Sequence, residues 1–131
     1  MSAKWLDRRL TICAAHFCLV QSEAALWAEL RKLKVDIKHW PTINEFNDAT
    51  TFQINPGYTD AGKACAIVYV KPHTGKDGVA VAALLVHEAV HIWQWHAQLI
   101  GAHNDHGAEE EAYAIQHIAQ ELMQAYQEQM A

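Results

Sequence analysis

The sequence predicts an α+β domain: a small antiparallel or mixed sheet packs on two helices in the second half of the chain, with one further helix near the amino terminus. Three observations predict it. Short β-rich runs lie at residues 10–20, 50–54 and 64–70, a long apolar helical segment follows residue 78, and a second segment with helical spacing starts at Ala108.

Residues 10–20 are rich in β-compatible residues and cysteine and end at Gln21-Ser22, so they are expected as a strand. Ser22 can then cap a helix over residues 23–34, where Leu26, Trp27, Leu30 and Leu33 form a stripe suited to packing on a sheet. Residues 35–48 lack a period, and Trp40-Pro41 biases that stretch to extended backbone. A short strand over 50–54 is followed by the turn signal Asn55-Pro56-Gly57. The clearest strand is 64–70, ended by Lys71-Pro72. Asp77 is the expected N-cap of the next helix, and Gly101 closes it after about six turns. The last helix places Ala108, Ala112, Ile115, Ala119, Leu122 and Tyr126 on one face, and its first turn, Glu109-Glu110-Glu111, complements the helix dipole.

A length of 131 residues suits one domain, 1–131, without an internal linker. The net charge of −5 speaks against a nucleic-acid surface, and Arg31, Lys32 and Lys34 read as basic charge at a helix C-terminus. Cys13, Cys18 and Cys65 lack CxxC pairing and read as small core residues in a reducing compartment. Lys4, Asp7, Arg8 and Arg9 precede an apolar run as in a signal peptide, but Thr11 and His16 interrupt that run and no cleavage site is evident, so it is expected to be part of the fold. With no segment of the ~20 apolar residues needed for a membrane span, the expectation is a cytoplasmic protein with no membrane partner.

The chemistry concentrates in His87-Glu88-Ala89-Val90-His91, an HExxH motif. On a helix, residues four apart share a face, so His87 and His91 can hold one metal while Glu88 flanks it. With 9 His and, by count, 9 Glu in the chain, chance supplies roughly 0.04 such motifs, so context has to decide. The apolar run of residues 79–86 and the following Ile92-Trp93 predict a helix buried nearly all round, in which two imidazoles and a carboxylate need a compensating partner. A zinc ion compensates all three.

Two histidines leave a catalytic zinc site one protein ligand short. His96 is rotated off the metal face, and the metzincin pattern is excluded because Gln94 and Ala97 stand where it has Gly and His. Glu109 follows His91 by 18 residues at the start of the next helix, where a helical hairpin can fold it back. This arrangement resembles the gluzincin metallopeptidases, whose third ligand is a glutamate on a following helix in an E-x-x-A or E-x-x-x-D setting. Here Glu109 and Ala112 match the first form, and Tyr113 stands where the second has Asp. The resemblance implies a minimal zincin-like fold, one zinc ion per chain held by His87, His91 and Glu109, and Glu88 as general base. Residues 85–94, taken with Glu109, Glu111 and Ala112 to Gln116, are also similar to small metallopeptidases encoded by phages and prophages. Two other third ligands stay open: Glu111, nearer the apolar stripe, and His106, whose following Gly107 resembles the SprT-like proteases.

What the resemblance implies is peptide-bond hydrolysis. Glu88 takes a proton from a zinc-bound water and returns it to the leaving amine, Tyr113 or a loop histidine donates to the oxyanion, and an edge strand, expected at residues 64–70, aligns the peptide or protein substrate by backbone pairing. Two other classes compete. One is a catalytically inactive zincin-fold module that binds metal or a partner, and the other is a metal-free interaction protein docking through Trp93 and Trp95.

Overall fold

The computed structural model describes residues 3–6, 15–60, 62–72, 77–101 and 107–130. The elements run β1 (His16–Val20), α1 (Glu23–Lys32), a 3-10 turn (Ile37–His39), β2 (Ala49–Ile54), a second 3-10 turn (Pro56–Tyr58), β3 (Cys65–Val70), α2 (Gly78–Leu99) and α3 (Ala108–Met130). This is an α+β arrangement with a mixed three-stranded sheet of order β1-β3-β2. β1 runs parallel to β3, and β2 runs antiparallel to it with Thr51 opposite Val68.

The helix ends follow their capping residues. The Ser22 side chain accepts from the Ala25 N–H, and the Asp77 carboxylate accepts from the Ala80 N–H at 2.8 Å, each satisfying a donor that the first turn leaves open. α1 stops at Lys32, two residues short of the expectation, because Lys34 enters the left-handed region at φ 57°. Its N–H reaches the Arg31 carbonyl and the Val35 N–H reaches Leu30, which is the bond pair of a Schellman ending. Gly101, at φ +68°, ends α2 in the same conformation without a Cβ penalty.

Both sheet faces are covered, which is why β3 is a continuous apolar run and every residue in it is buried. One face sets Phe17, Leu19, Ala66 and Val68 against Val81, Leu85, Ala89 and Ile92 of α2 and Ile118 and Leu122 of α3. The opposite face sets Cys18, Val20, Ile67 and Tyr69 against Leu26 and Leu30 of α1. The N-terminal segment is tied across this second layer. Leu6 bridges to Phe17, while the Ala3 N–H and the Trp5 indole N–H both donate to the buried Glu29 carboxylate. The basic cluster after it is engaged as well: Arg31 stacks over Trp40, Lys32 pairs with Glu29 and Lys34 with Asp60.

Several sequence expectations are corrected. β1 covers residues 16–20 of the expected strand, and residues 10–14 lie outside those described. The strand at 64–70 is central rather than at an edge: β1 and β2 take both of its sides, so its backbone has no open side. α2 is not buried all round, since His87 and His91 are exposed together with Val79 and Val86, while Glu88 is buried. Trp93 and Trp95 are core residues, 3% and 4% exposed, which removes the docking surface imagined for them. On α3, Ile115, Ala119, Leu122 and Tyr126 of the expected face pack on the core, whereas Ala108 and Ala112 are exposed. Among the described residues, no helix is long and apolar enough to cross a membrane.

Candidate metal centre

α2 lies under the edge of the sheet with two of its sides in different environments. Val81, Leu85, Glu88, Ala89 and Ile92 turn inward, and the i, i+4 pair His87 and His91 turns to solvent. The His87 Nε2 and His91 Nε2 atoms are 3.1 Å apart, with the rings nearly perpendicular at 79° and their centroids 4.7 Å apart. Two imidazole nitrogens bound to one tetrahedral zinc, each about 2.0–2.1 Å from it, stand about 3.3–3.4 Å apart. The pair therefore fits a shared zinc with a shift of a few tenths of an ångström. The same separation lets one neutral ring donate to the other in the metal-free protein.

Glu88 is 2% exposed, and its Oε2 accepts a hydrogen bond from the Thr51 hydroxyl on β2. Of the three motif residues only the Glu88 carboxylate is buried and needs a compensating partner, and a threonine supplies it. His87, Glu88 and His91 line one wall of a cleft of about 270 Å³ whose other wall is Asn47, Ala49, Thr50, Thr51 and Gln53. A larger hollow of about 760 Å³ continues from it along α2, sharing His87 and Glu88 and adding Phe46, Ala80, Ala83 and Leu84. Phe46 is 95% exposed at that rim.

β2 supplies the cleft with an open strand edge. The Lys71 N–H donates to the Asp48 carbonyl, and the register pairs Ala49 with Val70, so by alternation Asp48, Thr50, Phe52 and Ile54 turn their backbone groups to β3. Ala49, Thr51 and Gln53 turn theirs outward, where no strand among the described residues pairs with them. The edge expected at 64–70 is therefore found one strand over.

The remaining site residues are placed less closely. Glu109 and Glu110 are exposed in the first turn of α3, Glu111 is half-buried there, and Tyr113 is 67% exposed. His106 lies outside the described residues, as does His103. Among the described residues, no three His, Cys, Asp or Glu side chains gather into a metal-holding group, so Glu109 joins the histidine pair by the sequence resemblance alone. His96 packs on Trp93, His39 on Tyr58, and His117 pairs with Glu121.

No family model matches the chain, and comparison with curated proteins and with solved structures finds no match. The functional reading therefore rests on the motif and its geometry. Sequence reasoning missed Thr51. It sits 37 residues before Glu88 in an unremarkable β-rich run, and no motif announces it.

Proposed function

We propose that the chain is a zinc-dependent peptidase with a minimal zincin-like fold, acting on a peptide or protein substrate. The observation that carries the reading is the 3.1 Å approach of His87 Nε2 and His91 Nε2 on a cleft wall that also holds the buried Glu88 carboxylate. His87 and His91 would hold the ion together with Glu109 as third ligand. Bound there, zinc supplies a Lewis acid that acidifies water and polarises a peptide carbonyl.

The chain's own residues do the rest. A substrate segment adds to the open edge of β2 by hydrogen bonding to the outward backbone groups of Ala49, Thr51 and Gln53, which lays its carbonyls along the cleft. Glu88 takes the proton of the attacking water and returns it to the leaving amine. The Tyr113 phenol donates to the oxyanion of the tetrahedral species. Buried free thiols at Cys18 and Cys65 suit a reducing compartment, and with it the cytoplasmic location that we propose.

Glu88→Gln tests the base. With zinc retained, hydrolysis of a mixed-sequence quenched-fluorescence peptide library is expected to fall about 10²–10⁴-fold. Undiminished hydrolysis by Glu88→Gln would show that Glu88 is not the base.

A further inference from the structure

Glu88 needs more than burial to work as a base, because a carboxylate on a flexible side chain must be held with one oxygen turned to the nucleophile. The Thr51 hydroxyl donates to Glu88 Oε2, and among the described residues it is the hydrogen-bond partner of that carboxylate. The threonine is the donor, with its hydroxyl directed at the carboxylate oxygen. The contact joins two different elements: the strand carries the hydroxyl and the helix carries the acid. Thr51 is β-branched, and its χ1 is stiff in a strand, so the hydroxyl is aimed by the sheet. Opposite Val68, it sits on a strand whose other neighbours are fixed by pairing to β3.

Thr51 also has a second connection. Its backbone N–H and C=O are among those that turn to the open edge of β2, and its side chain lines the cleft with His87, Glu88 and His91. A peptide pairing with β2 at this position therefore contacts the residue that holds the base.

We infer that Thr51 is a positioning residue: its hydroxyl anchors Oε2 of Glu88, leaving Oε1 to exchange the proton, and ties the base to the strand on which substrate aligns. This rests on the peptidase reading. Removal of a partner that orients a metal ligand costs about 10–100-fold in activity, and a loss of the same order is expected for a partner that orients the base.

The test compares Thr51→Val, which keeps the shape and β-branching, with Thr51→Ser, which keeps the hydroxyl. In zinc-loaded protein acting on the best peptide from the library, Thr51→Val is expected to lower kcat about 10–100-fold with KM and zinc affinity within about threefold of wild type, and Thr51→Ser to keep kcat within about threefold. Crystal structures of the metal-free variants give a readout independent of turnover: the Glu88 carboxylate stays in place in Thr51→Ser and leaves its position in Thr51→Val. Full kcat in Thr51→Val, equal losses in both variants, a loss carried by KM, or an unmoved carboxylate in Thr51→Val each overturns the role of Thr51 while leaving the peptidase reading intact. A zinc-loaded wild type that cleaves nothing in the library overturns the peptidase reading and this role with it.

Discussion

A double-mutant cycle on Thr51 and Glu88, run on metal-free protein in chelator at neutral pH, isolates the energetics of the site from its chemistry. Glu88 is 2% exposed and accepts from Thr51. Thr51→Val removes a hydrogen bond to a charged group and leaves the carboxylate buried without its partner, which costs about 2–3 kcal/mol. Glu88→Gln keeps an oxygen that accepts from Thr51 but removes the charge from the interior, so it is expected to be neutral or to stabilise by about 1 kcal/mol. In the Glu88→Gln background, the same Thr51→Val change breaks only a neutral bond and should cost about 1 kcal/mol. The coupling is then about 1–2 kcal/mol, large enough to resolve by urea unfolding analysed through midpoint and slope. Equal costs of Thr51→Val in the two backgrounds would show that the hydroxyl does not read the charge of Glu88.

Two further outcomes follow from the opposite sheet face. Glu29 is 2% exposed and accepts from the Ala3 N–H at 3.3 Å and the Trp5 indole at 3.1 Å, so Glu29→Gln, which sets an amide N–H₂ against donors, should destabilise by about 2–3 kcal/mol and alter Trp5 fluorescence before global unfolding; unchanged stability and emission would mean the segment is not held this way. Burial pushes the Cys18 thiol well above its ordinary value of 9.0, with Glu29 and Cys65 adding to the rise, and burial also raises Cys65 and the Tyr69 phenol. The folded chain thus holds protons that the unfolded chain releases, so these groups contribute no pH dependence below pH 9.0 and lower stability as pH rises beyond it, which unfolding midpoints above that value check. A Cys18→Ala variant should show a shallower fall.

The elements were legible where local chemistry decides them. Ser22 and Asp77 cap their helices, Gly101 closes α2, and the apolar run before Lys71-Pro72 became β3, because each depends on neighbours within a few residues. What the sequence did not disclose was strand order. The position of residues 64–70 directly before the helix points to an edge strand, whereas the burial of β3 on both faces and its pairing on both sides place it at the centre. The same blindness concealed Thr51, since a contact across 37 residues depends on how β2 meets α2. The apolar composition of α2 also overstated its burial. Val79, at 80% exposed, and Val86 lie on the side that carries the histidines to solvent, so hydrophobic residues there report nothing about the core. By contrast, the i, i+4 spacing of His87 and His91 gave their proximity directly, as helical pitch requires.

Whether these two histidines hold a metal is read by a calorimetric zinc titration of the wild type beside His87→Ala, His91→Ala and Glu109→Gln. One zinc per chain is expected, with binding lost in both histidine variants and weakened in Glu109→Gln. Zinc binding that survives His87→Ala and His91→Ala unchanged, or no zinc binding by the wild type, would show that the histidine pair is not a zinc site.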